Sequence, residues 1–205
     1  MLPTLGIPPI KLTLTGRYVF AHFMVGNSYP YTPADWTEDI LAAQGYGIDG
    51  FALNLGSDEW QPARIADAYA AAAAIASNDT TKAPFKLFLS FDMTCLSDAG
   101  LIVNYIKTYH GHPAQLVYEG KDFVSTFSGE TVTFGQDNIN DGWQHMVKDV
   151  LAGSGIEIFF VPAWSALAPQ GVFTNNYVLD GIFCWTAWYG IEDLVLTIGL
   201  MATRQ

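Results

Sequence analysis

Lys86-Leu87-Phe88-Leu89-Ser90-Phe91-Asp92 is the stretch on which the reading of this chain turns. A strand with one wet face alternates apolar and polar residues. This run is apolar almost throughout, as expected of a strand covered on both faces in a parallel sheet. Five runs of the same kind flank it: Tyr18–Val25, Gly50–Leu55, Asp122–Phe127, Glu157–Pro162 and Asp180–Trp185.

Helical patterns lie between the runs. Pro33–Gln44 opens with Thr32 as a candidate N-cap and Pro33 at the first helical position, with acidic residues in its first turns. Pro62–Ala76 is rich in alanine, the strongest helix former. Asp98–Tyr109 follows Ser97, a second candidate cap, and Asp141–Leu151 stops at Gly153-Ser154-Gly155. Strands alternating with helices define an α/β fold. A doubly wound open sheet is the generic alternative. Two features favour a barrel. His22-Phe23-Met24-Val25-Gly26 stands where a phosphate-binding glycine loop would follow a first strand. Polar residues also recur at strand C-termini, where barrels place their sites. A full barrel takes about 250 residues, and the chain has 205. The expectation is an incomplete (β/α)8 TIM-type barrel with about six of eight βα units. Residues 1–17 read as an N-terminal extension, 18–188 as the barrel domain and 189–205 as a divergent C-terminal tail.

Half of the residues are apolar and only 14% are charged, which excludes a disordered chain. The net charge is −11, and the nine basic residues are too scattered to make a phosphate-binding patch, so nucleic acid is not an expected partner. The opening Met1–Pro9 has no basic start and is broken by prolines, unlike a signal peptide, and no apolar run is long enough to span a membrane. Cys95 and Cys184 have no metal-ligand spacing and lie in apolar surroundings, so buried free thiols are expected; one disulfide is the alternative in an extracellular setting.

The strand ends supply the candidate site. Asp92 closes its apolar run, so its carboxylate sits at or over the barrel mouth, as an acid, a base or a substrate-orienting group; capping the next loop is the structural alternative. His22 is either a hydrogen-bonded core residue or a sugar-hydroxyl contact. Asn54, with Asp58 and Trp60 in the loop after it, has an amide able to bond a hydroxyl both ways. Ser125 and Thr126 end the fourth run. Trp164, Trp185 and Trp188 are either packing residues or platforms for sugar rings. No GxSxG elbow, HExxH motif or cysteine cluster is present. His110 and His112 flank Gly111 before Pro113 and read as a helix stop rather than a metal pair.

Ala21–Tyr29, Gly47–Asn54, Lys86–Met93, Val124–Phe127 and Phe159–Trp164 together resemble glycoside hydrolase family 71, the fungal endo-α-1,3-glucanases or mutanases. His112-Pro113-Ala114-Gln115 and Asp141-Gly142-Trp143 fit the same pattern, and the resemblance runs from about Tyr18 to Trp188. It implies a (β/α)8 domain that hydrolyses α-1,3-glucan with inversion, without metal or organic cofactor, as a monomer in the extracellular space or cell wall. Asp92 would then be the candidate catalytic carboxylate, with His22, Asn54, Asp58, Trp164, Trp185 and Trp188 binding substrate. The resemblance also implies an acid/base pair in a motif of the type Trp-Asn-Asp-Tyr-Gly-Glu, which this sequence lacks; Trp188-Tyr189-Gly190-Ile191-Glu192-Asp193 has similar letters in another order. A C-terminally truncated family member is therefore expected. The alternatives are an inactive homologue that at most binds glucan, and a truncated product with no function of its own.

Overall fold

A computed structural model describes residues 18–167 and 171–183. They form β1 (Phe20–Met24), a short 3-10 turn (Val25–Asn27), α1 (Pro33–Gly45), β2 (Gly50–Leu55), α2 (Gln61–Asn78), β3 (Lys86–Asp92), α3 (Ala99–Tyr109), β4 (Val117–Tyr118), β5 (Lys121–Phe127), α4 (Ile139–Trp143), α5 (Asp149–Ala152), β6 (Ile158–Phe160) and α6 (Val172–Asn175). The strands β1, β2, β3, β5 and β6 run parallel in that order. Among the described residues no helix is long and apolar enough to cross a membrane.

The two faces of the sheet bury different sets of side chains, because successive residues of a strand point to opposite sides. Phe51, Leu53, Leu55, Leu87, Leu89 and Phe91 pack outward against helical residues such as Ile40, Ile65 and Ile102. Phe20, Ala52, Phe88, Phe123 and Phe159 pack inward with Leu116, Val161 and Phe183 in a second, separate cluster. A flat sheet in this order would put β1 roughly 24 Å from a strand beyond β6, at ~4.8 Å per step. Instead the rings of His22 on β1 and Phe183 beyond β6 lie 4.6 Å apart, and Phe88 on β3 is 6.0 Å from Phe183. The sheet curls around its inner cluster, as the wall of an incomplete (β/α)8-type barrel does.

Most expected elements fall where the sequence places them. At α1 the Asp35 carboxylate accepts hydrogen bonds from both the backbone N–H and the hydroxyl of Thr32. Several details differ. The cap of α3 is Asp98 rather than Ser97: its Oδ1 accepts from the N–H groups of Gly100 and Leu101. The single helix expected over Asp141–Leu151 is α4 and α5 joined by a π turn, Gln144–Lys148, and it is capped by Asn138. The short β4 was not expected. It pairs antiparallel with the start of β5 across Glu119 and Gly120, both with positive φ, as a tight hairpin requires. The expected strand Asp180–Trp185 is only partly within the described residues. The N–H groups of Asp180 and Gly181 donate to Phe160 O, and that of Phe183 donates to Pro162 O, so this segment runs beside β6 without forming a regular strand. Lys148 and the Phe160 N–H both bond the Asp180 carboxylate and hold it there.

Gly50 marks the tightest approach between strands, since a Cβ there would lie 2.1 Å from Lys86 O. Gly50→Ala is expected to destabilise the protein by about 1–3 kcal/mol, the usual cost of overpacking, read as a lower urea midpoint.

Candidate functional site

The C-terminal ends of the parallel strands open on one face, the face on which barrels of this class carry their sites. Just below it the strand register aligns a polar row. Asn54 pairs with Ser90, and Ser90 pairs with Ser125. These side chains share the inward parity of Ala52, Phe88 and Phe123, so they sit directly above the apolar cluster. All three are buried. Asn54 Nδ2 donates to Ser90 O at 3.3 Å. The hydroxyls of Ser90 and Ser125 have no hydrogen-bond partner among the described residues. A buried polar group left unmatched costs about 1–3 kcal/mol. Two of them side by side near a barrel mouth leave hydrogen-bonding capacity that no described residue takes up.

Asp92 stands at the top of β3 with the same inward parity, half-buried. Its Oδ1 accepts from the Thr94 N–H at 3.0 Å and the Thr94 hydroxyl at 2.6 Å. No hydrogen bond from a described residue reaches Oδ2. Oδ1 thus caps the loop after β3, and Oδ2 is not taken up by that loop. Thr126 has the opposite parity to Ser125, and its hydroxyl bonds Ser128 O.

His22 is half-buried on β1, and desolvation lowers its pKa to about 4. It is therefore neutral near pH 7 and can offer one nitrogen as donor and one as acceptor. Asp58 is exposed on the β2–α2 loop, where its carboxylate accepts from Gln61 Nε2 at 2.7 Å while Gln61 Oε1 accepts from the Gly56 N–H at 2.8 Å. Trp164 is 2% exposed and packs edge-on to Phe160 in the outer core, so it offers no open face for stacking. Trp185 and Trp188 lie outside the described residues, as does Cys184. Cys95 is exposed in the loop after β3, not buried: its neighbour Leu96 is buried instead, in the outer cluster.

Glu130 is a candidate site residue that the sequence reading did not name. It is half-buried just past the end of β5, with Ser128 Oγ 3.4 Å from its Oε2. The chain reaches it through Ser128 and Gly129, both with positive φ (58° and 101°). The left-handed region costs a non-glycine residue about 1–2 kcal/mol, and strain of this kind gathers at functional loops. The signal was a carboxylate in the turn Ser128-Gly129-Glu130, directly after an apolar run. His110 and His112 serve the opposite end of the sheet. His110 Nδ1 contacts the Asp122 carboxylate at 2.7 Å, and His112 Nδ1 accepts from the Ala114 N–H.

His22 gives a pH signature. The unfolded imidazole binds its proton near pH 6.5, whereas the folded one does so only near 4. Between those values the unfolded state holds more protons, so stability falls as pH drops from about 6.5 toward 4. His22→Asn is expected to flatten that part of the curve when urea midpoints are compared across the window.

The family model for glycosyl hydrolase family 71 matches residues 15–193. A glucan endo-1,3-alpha-glucosidase of Schizosaccharomyces pombe is 51% identical over 180 residues, covering 87% of this chain and 41% of the relative. An ascus wall endo-1,3-alpha-glucanase of the same yeast is 37% identical over 208 residues, covering 96% of this chain and 46% of the relative. A mutanase of Penicillium rubens is 37% identical over 196 residues, covering 92% and 39%. The chain thus spans less than half the length of these curated relatives. With the family model matched along most of its length and the curled sheet beneath, the chain belongs to glycosyl hydrolase family 71.

Proposed function

We propose that this chain forms the cleft of a glycoside hydrolase that cuts α-1,3-linked glucan by inversion, acting on cell-wall polysaccharide outside the cell. The observation that carries the reading is the polar row Asn54, Ser90 and Ser125 under a mouth rimmed by Asp92, in a chain of this family. Neutral hydroxyls, an amide and an uncharged imidazole suit a substrate that is all hydroxyl and carries no charge.

Inversion needs an acid that protonates the leaving oxygen and a base that takes a proton from the attacking water, with the two carboxyl groups about 6.5–9.5 Å apart. Asp92 supplies one carboxylate, with an oxygen left open after the Thr94 bonds. Glu130, just past the end of β5, is a second half-buried carboxylate at this end of the sheet and the candidate partner. Neither faces a cation among the described residues. His22, Asn54 and Asp58 act as substrate contacts around them.

Retention on insoluble α-1,3-glucan and release of reducing sugar test the reading together. Asp92→Asn is expected to keep glucan retention and to lower hydrolysis by about 10²–10⁴-fold, the usual contribution of a general acid or base. Fresh product followed by NMR is expected to appear first as the β-anomer. Retention of the wild type without any release identifies the inactive, binding-only homologue, and no retention overturns the glucan reading.

A further inference from the structure

We infer that Tyr29 and Trp60 form an outer aromatic subsite that holds a glucosyl unit of the glucan beyond the cleavage point. The inference rests on the glucan reading and extends it to residues for which nothing above required a role. Tyr29 follows β1 and Trp60 follows β2, so both stand on the loops of the C-terminal face, on neighbouring strands. Their rings meet edge to face with centroids 5.2 Å apart. Such a pair cannot cover both faces of both rings. Tyr29 is 68% exposed, whereas Trp36, Trp143 and Trp164 are sealed in the core. Met24, at the C-terminal end of β1, is also exposed.

An isolated exposed aromatic side chain means little. Here the mounting argues for more. The Tyr29 loop is built around Ser28, which is fully buried and donates to Val25 O through both its N–H and its hydroxyl. Arg64 on α2 bonds the carbonyl of Tyr31, tying this loop to the helix that Trp60 caps. The rings are therefore held in place before any ligand arrives, which lowers the ordering cost of binding. A pyranose presents C–H groups on its ring faces and hydroxyls around its edge. The electron-rich face of an aromatic ring suits the first. Asn27 and Asp58, both exposed on the same two loops, suit the second.

Calorimetry of the whole chain with short and long α-1,3-linked gluco-oligosaccharides tests the assignment. Tyr29→Ala is expected to weaken binding of the long oligosaccharides about tenfold, ~1.4 kcal/mol, and to leave a disaccharide unaffected. Trp60→Ala should act in the same direction, Tyr29→Phe should retain binding because the platform survives, and Tyr46→Ala, an exposed tyrosine at the far end of α1, should change nothing. Wild-type affinity in both Tyr29→Ala and Trp60→Ala would overturn the subsite while leaving the glucan reading intact. A wild type that binds no oligosaccharide of any length would overturn the glucan reading, and the subsite with it.

Discussion

No described helix covers the inner face of this parallel sheet, which curls on itself instead, and Phe88 is where it does so. Its ring lies 5.2 Å from Phe20, 4.7 Å from Phe123 and 6.0 Å from Phe183, gathering β1, β5 and the segment beyond β6 around β3. Burying a phenylalanine is worth about 1.5–3 kcal/mol. Phe20, Phe88, Phe123, Phe159 and Phe183 all share this cluster. Their shared burial favours the curl over a flat sheet, which would leave these rings in water. The polar row can converge only because the layer below it has already drawn the strands together.

The apolar floor also sets the electrostatics of what stands on it. His22 lies against Phe183 and is neutral because that environment penalises its charge. The inward-facing strand carboxylate, Asp92, stands at the rim, where it and Glu130 remain partly wet. Depth thus sorts the groups by charge: rings at the bottom, then uncharged hydrogen-bonding groups, then acids at the edge. A glucan offers only hydroxyls to the middle layer and its glycosidic oxygens to the acids.

Much of this was legible in the sequence because buried parallel strands carry a continuous apolar signal. The runs at Gly50–Leu55 and Lys86–Asp92 match β2 and β3 residue for residue, and the serine and aspartate that interrupt them fall on the inner face. What escaped the reading depends on contacts between segments distant in sequence. Nothing local in Val117-Tyr118 announces a strand; it pairs with Lys121 and Asp122, the first residues of β5, before β5 begins to pair with β3 at Val124. Asp98 displaced Ser97 as a cap because the backbone enters α3 one residue later, a choice made by the loop above. Trp164 and Trp60 look alike in sequence as tryptophans near strand ends. Only the fold shows one sealed against Phe160 and the other half-open against Tyr29.

The first turn of α2 organises the mouth more than any strand does. Gln61 is almost wholly buried, yet its amide carries no part of the core: it bonds the Gly56 N–H on one side and the Asp58 carboxylate on the other. Arg64, on the same turn, reaches across to the carbonyl of Tyr31 in the loop after β1. Two side chains of one helix thus fix two neighbouring loops, and with them Tyr29, Asp58 and Trp60. A buried amide and a guanidinium so placed contribute less to stability than apolar residues of the same volume would, because each must first give up its water. What they provide is geometry. A polymer laid across several contacts loses affinity if those contacts shift independently, and a rigid rim keeps them in register with the acids deeper in.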